Sequence, residues 1–169
     1  MTNPLHPTSE LVTCAWISSI PGFPLSTSGV MTQATAQENW PVRSNISQIV
    51  TCSVVGGSPG TSDQVPIAKP VMSIKAWAAK LSGSMKPPWF VAAELLEQIR
   101  VACYERDYQV FGRILSIQAN GQTYNGATVH GTTVHTEPRR IKADPRNYAV
   151  YQMDVGFTWV EVNLVVPGA

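Results

Sequence analysis

His130 and His135 are the two imidazoles nearest each other in the sequence, five residues apart in a stretch rich in Thr and Val. An odd spacing in an extended strand sends the two rings to opposite faces, so a shared metal ion would need a bulge or turn between them. Gly131 could supply one, but no carboxylate or thiol stands at ligand spacing nearby. Cys14, Cys52 and Cys103 are odd in number, and each sits in an apolar stretch. They read as small buried hydrophobes of a protein from a reducing compartment. A nucleophilic pair of Cys52 with His130 is formally possible, yet only a β-rich run surrounds Cys52. The glycine cluster at 56–60 follows a strand, as a phosphate loop would. Pro59 interrupts it, and no Lys followed by Ser or Thr closes it. Glu94 and Glu97 lie three apart on a helix, Asp63 stands alone in a loop, and Asp154 sits in a strand. None makes an acid–base pair. The expectation is a chain with no catalytic residue, no metal and no cofactor.

Charge and aromatic placement point to surfaces instead. Arg139, Arg140, Lys142 and Arg146 form the most concentrated charge in the chain, with only Glu137 and Asp144 beside them. Such a run is either a solvated loop or a site for an acidic partner or neighbouring subunit. Asp154 is the carboxylate placed for partial burial, where a structural hydrogen bond or an intersubunit partner suits it better than catalysis. Trp40, Trp77, Trp89 and Trp159 fall at element ends or on strand faces, more than one helix layer is expected to bury, and aromatics are enriched in interface cores. The candidate assembly interface is therefore Arg139, Arg140, Lys142, Arg146, Asp154 and Trp77.

Those residues need elements to hold them. The stretch 148–162 alternates too regularly to be anything but a long strand, with Ala149, Tyr151, Met153, Val155, Phe157 and Trp159 on one face. The other face mixes Gln152, Asp154 and Thr158 with Val150 and Val160, so it meets water in part and protein in part. A short helix enters at Thr8 or Pro7, carries Leu11, Cys14 and Ala15, and stops at Pro21-Gly22. Residues 22–45 read as a long loop with one short strand at 29–32, a length usually functional or partner-contacting. Strands follow at 46–55, ended by Gly56-Gly57, and at 70–79, where Met72, Ile74, Ala76 and Ala78 share a face. They are expected to pair antiparallel across a 56–69 loop.

The clearest helix spans 88–106, opened by Pro87-Pro88 and striped by Ala92, Leu95, Leu96, Ile99, Ala102 and Cys103. A strand at 110–119 ends at the hairpin signal Asn120-Gly121, and a second at 127–136 is interrupted by glycines. Residues 139–146 read as a polar connection, and 163–169 as a frayed tail. This order predicts a single α+β two-layer domain with a core over about 8–162 and an extended hairpin region at 110–136. Its mostly antiparallel sheet would carry helices on one face.

Composition agrees with assembly. The chain has 169 residues, 44% hydrophobic, with a net charge of +1 and only 14% charged residues. A soluble domain carries roughly 25% charge, so much of this surface is expected to be hidden against partners. The near-zero net charge excludes a strong electrostatic footprint for nucleic acid. No apolar run nears the roughly 18 residues needed to span a bilayer, and no signal peptide is read at the start.

The run VTCSVVGG at 50–57, followed by PVMSIKAWA at 70–78, resembles the paired strands of tail terminator proteins of long-tailed bacteriophages. The helix AAELLEQIRVAC at 92–103 is similar to that family too. So is the closing pattern PRRI at 138–141, DPR at 144–146 and YAVYQMDVGFTW at 148–159. The likeness covers about residues 40–162, rests on element order and short patterns, and is closest to the terminators of actinobacterial phages. It implies a small α+β domain forming a hexameric ring that caps the tail tube at its head-proximal end and offers the head–tail joining surface. The implied partners are further copies of the chain, the major tail tube protein and a head-completion or neck connector protein. DNA would pass through the lumen without sequence-specific contact, in a virion assembled in the host cytoplasm. The long 22–45 loop and the extended 119–136 hairpin depart from the family pattern. Another neck component or a tube subunit is the alternative, and a small cysteine hydrolase a remote one.

Overall fold

The structure, a computed structural model, describes residues 5–26, 29–39, 48–58, 67–79, 86–104, 110–141 and 148–162. Its centre is the long strand read from the sequence, which runs from Ala149 to Val162. Ala149, Met153, Val155, Phe157 and Trp159 are all buried, and the alternate residues are mostly half-exposed, as alternation requires. In chain order the elements are α1 (Ser9–Ser18), β1 (Val30–Thr32), α2 (Gln33–Asn39), β2 (Gln48–Ser58) and β3 (Ile67–Ala78). Then come α3 (Pro88–Tyr104), β4 (Ile114–Ala119), β5 (Gln122–Val134), β6 (Arg139–Arg140) and β7 (Ala149–Val162).

One sheet in the order β1-β2-β3-β7-β5-β4 gathers the strands, with β6 added beside β7. Among the described residues every pairing between strands is antiparallel except β1 with β2, which are parallel, and an isolated parallel bridge joins Leu5 to Tyr124. The fold is α+β. Helices α1 and α3 share one core with Val50, Cys52, Met72, Ile74, Met153 and Phe157, so both lie on the same face of the sheet. Helix α1 packs against both β1 and β4, the first and last strands of the order, so the sheet curls around it.

Local sequence explains most ends. Thr8 caps α1 by accepting a hydrogen bond from the Leu11 amide at 3.3 Å. Trp16 on α1 is wholly buried, its indole N–H donating to the Val110 carbonyl at 3.2 Å and its ring edge-on to Phe157 at 5.3 Å. That contact pins α1 to β7 and to the segment leading into β4. Asn120 (φ 52°) and Gly121 (φ 72°) make the turn between β4 and β5, two left-handed residues as a tight hairpin demands.

Several boundaries differ from the sequence reading, each for a physical reason. Strand β2 does not stop at Gly56-Gly57. A bulge between Val54 and Gly56 absorbs the register shift, and pairing with β3 continues to Ser58 against Lys69. Gly57 (φ 101°) is required there, because a Cβ would lie 2.2 Å from the Lys69 carbonyl oxygen. The glycines of β5 likewise do not break it: a bulge between Val129 and Gly131 lets one strand run through. Residues 22–45 are not only loop. Helix α2 lies within them, its amide at Thr35 capped by the Thr32 hydroxyl at 3.2 Å. Its polar sequence hides it, since only Ala36 is buried among its described side chains. Strand β4 begins at Ile114 rather than 110, and Arg139-Arg140 is a strand rather than a plain connection.

Candidate functional site

Strand register builds a second surface on the face opposite α1 and α3. Ile49, Trp77 and Val150 align across β2, β3 and β7. The next row is Thr51, Lys75, Gln152 and Arg139, the last contributed by β6. Ser53, Ser73 and Asp154 make the third. The face therefore grades from apolar to charged over three rows. Ile49 and Val150 are buried outside the main core, and the Trp77 indole N–H donates to the Thr51 hydroxyl at 3.0 Å.

Asp154 is the electrostatic centre of this face, with a side chain 19% exposed. Its Oδ1 accepts from the Gln152 amide at 3.3 Å, and its Oδ2 from the Thr136 hydroxyl and from Arg139 Nη2, both at 3.4 Å. The Thr136 hydroxyl in turn accepts from the Asp154 amide at 2.9 Å. Backbone amides of His135 and Thr136 both donate to the Asp154 carbonyl, and the His135 ring lies over Gly156 on the same strand. Ser73, the cross-strand neighbour of Asp154, is buried with no hydrogen-bond partner for its hydroxyl among the described residues. A buried hydroxyl left without a partner costs stability unless something supplies one.

Three of the six sequence-nominated residues thus share one surface: Trp77, Asp154 and Arg139. Arg140 goes elsewhere. One residue further along an extended strand, it emerges on the opposite face, and its guanidinium lies over the Trp89 ring at 3.5 Å. Trp89 also meets Tyr151 edge-on at 6.1 Å. The basic run is therefore split between two faces at its first two members. Lys142 and Arg146 lie outside the described residues, as do Asp63, Asp144 and Trp40. Glu137 is 3.9 Å from Arg100 on α3 rather than serving the neighbouring arginines. Trp159, expected at an interface, is buried, and its indole N–H donates to Ser9 Oγ at 3.2 Å.

Lys75, Gln152 and Thr136 join the surface without having been nominated. For Lys75 and Gln152 the signal was present, since period-two alternation sets both on the mixed face of their strands. Thr136 depended on β5 continuing through its glycines.

The curl of the sheet makes a second feature. Edge strands β1 and β4 flank α1, enclosing a groove of about 710 Å³. Leu11, Cys14 and Ser18 line it from the helix, Val30 and Thr32 from one edge, and Ile114 from the other. Arg113 and Ser19 also line it, and the guanidinium donates to the Ser19 carbonyl. The three thiols are free and buried. Cys52 is three strand spacings from His130, which is exposed on β5, so roughly 14 Å of sheet separates that pair. Contact with Cys14 and burial push the Cys52 thiol well above its ordinary pKa. Among the described residues no three His, Cys, Asp or Glu side chains converge as metal ligands, and no helix is long and apolar enough to cross a membrane. No family model matches the chain, and no curated protein matches it.

Proposed function

We propose that this chain is a structural subunit that assembles head to tail into a ring, acting as a tail terminator of a long-tailed bacteriophage. The surface that unites Trp77, Lys75, Asp154 and Arg139 carries the reading. Ile49, Thr51, Ser73 and Val150 of this face are buried, and its open part is Lys75, Gln152, Asp154 and Arg139, a carboxylate with a half-exposed arginine beside it, which suits recognition of another protein surface. Support also comes from the two ends of the sheet. The outer part of β2 exposes Val54 and Val55, and β4 exposes Ile114, so apolar side chains stand at opposite edges of one subunit. Different patches at opposite ends are what a heterologous interface uses, and such an interface closes into a ring when its rotation allows. In this reading one ring face copies the interface of the tail tube and the other does not, so tube growth stops.

Mass photometry and negative-stain microscopy of the purified full chain test this, together with cosedimentation on isolated tail tubes. A discrete six-fold ring, alone or on tube ends, is the expected result. A strict monomer that also ignores tubes overturns it. Location of the protein in a virion reconstruction separates a terminator from another neck component or a tube subunit.

A further inference from the structure

Strand β7 stops at Val162 because its place beside β5 is taken. Val162 pairs with Gly126 of β5, and on the same side the next position belongs to Leu5, bridged to Tyr124 with its carbonyl accepting from the Asn125 amide at 2.9 Å. His6 holds that segment down, its Nδ1 lying 2.8 Å from Glu161 Oε1, and the Asn125 side-chain amide donates to the same carboxylate. Strand β5 therefore has no room for a longer β7. Residues 163–169 follow, with the sequence NLVVPGA, and lie outside the described residues. They carry no charged side chain and set Leu164, Val165 and Val166 in a row.

The edge of the sheet has the complementary need. Among the described residues β4 pairs only with β5, and Ile114–Ala119 contains neither charge nor proline, the residues that guard an edge strand. One bulge, between Leu115 and Ile117, interrupts its pairing and leaves Ile117–Ala119 in regular register. All of β4 lines the groove beside α1, and β1, the other edge strand, forms the far wall. Arg113 is the one charged side chain among the described residues of that lining.

We propose that Leu164, Val165 and Val166 of one copy add as a strand to β4 of the next copy, seated in the groove beside α1. The inference rests on the ring reading above and names the contact that joins its subunits. Edge addition gives main-chain hydrogen bonds along β4, and the incoming apolar side chains meet Leu11, Cys14 and Ala15 on the groove floor. The occupant belongs to a neighbour rather than to the same chain. A strand added outside β4 lies three strand spacings from β7, about 14 Å along the sheet. Leu164 is two residues from Val162 and reaches about 7 Å at most. Donor segment and acceptor edge are different parts of the subunit, so the contact runs head to tail.

Hydrogen exchange over residues 114–119 of the full chain, read by mass spectrometry, gives the test. Exchange there should slow at least about tenfold as the wild-type chain is concentrated from dissociated to assembled. Val165→Pro removes a main-chain donor and should lose that slowing. Equal protection in the variant and the parent overturns the inference, and rings persisting in that variant leave the ring reading standing without it. A parent that stays monomeric at every concentration sinks the ring reading instead. In that case an excess of free peptide NLVVPGA should still slow exchange at 114–119, and no slowing overturns the docking of this segment. Oxidation of mixed Gln118→Cys and Val165→Cys chains should link two chains at those positions, since Gln118 is exposed and lines the groove. Absence of that link, or a link formed within one chain carrying both substitutions, overturns the choice of a neighbour.

Discussion

Arg139 and Asp154 meet across neighbouring strands, Nη2 to Oδ2 at 3.4 Å, on the face opposite the two core-forming helices. The arginine side chain is 53% exposed and the carboxylate 19%. At that exposure solvent screens the attraction, so the pair contributes little to folding, at most about 1 kcal/mol. Its half-open geometry leaves donors on the guanidinium for a second carboxylate or carbonyl from another subunit.

Asp154→Asn should therefore separate folding from assembly. The amide keeps the shape and removes the charge, and urea unfolding of the dissociated chain should shift by no more than about 1 kcal/mol. If the surface mediates association, the ring fraction in mass photometry falls sharply, as it should for Arg139→Gln. An undiminished ring fraction in both variants removes this pair from the interface. Arg140→Gln serves as the contrast. Its guanidinium stacks on Trp89 on the other face, so its loss should leave a Trp77-side interface unchanged.

Trp16 should matter most to stability. It is wholly buried, hydrogen-bonded to the Val110 carbonyl and packed against Phe157 and Phe111. Trp16→Ala removes that volume and is expected to cost roughly 3–5 kcal/mol in chemical denaturation. Trp16→Phe keeps part of the ring contact but strips the carbonyl of its donor, and should cost about half as much, on the order of 2 kcal/mol. A loss under about 1 kcal/mol for the alanine variant would contradict the packing described here.

The contrast between β7 and α2 shows what the chain makes legible. In β7 an unbroken apolar row alternates with mixed residues, and the period alone decides face, strand type and the position of Asp154. In α2 seven mostly polar residues bury only Ala36 among the side chains described, so the helix has no stripe to read and rests on a Thr32 cap. The bulges explain the other misses. Gly56-Gly57 and Gly131 look like strand breakers, because a sequence does not say whether a partner strand will absorb the extra residue. Arg139 and Arg140 looked like one patch for a similar reason. Their assignment to opposite faces depends on β6 pairing with β7, a non-local event.

Gly56 and Gly57 give a paired test of the β2 bulge. A Cβ on Gly57 would stand 2.2 Å from the Lys69 carbonyl oxygen and 2.6 Å from Pro70 Cα, with φ at 101°. Among the described residues nothing lies within 4 Å of a Cβ on Gly56. Gly57→Ala should thus destabilise by at least about 1–3 kcal/mol, since the backbone cannot give way cheaply. Gly56→Ala should be close to neutral, within about 0.5 kcal/mol. Amide exchange should localise the first effect to residues 67–71 of β3. Equal effects at the two positions would argue against the bulge.

Alkaline pH should weaken the fold through its thiols. Burial pushes the Cys103 thiol up to about 11 from an ordinary 9.0, with the Thr132 contact opposing in part. Below pH 9 both folded and unfolded states hold the proton, and the stability is intact. Between about 9 and 11 the unfolded chain loses its proton first, so it binds fewer protons than the native state and stability falls as pH rises. The loss attributable to Cys103 is on the order of 2 kcal/mol by pH 11. Cys52 is shifted in the same direction and should steepen the fall. Urea midpoints measured from pH 8 to 11 should decline less steeply in Cys103→Ala than in the parent chain. Every other ionisable group is common to both chains, so the comparison of slopes isolates the thiol. Parallel slopes would mean that Cys103 is solvated in the native state, contrary to its place between α3 and β5.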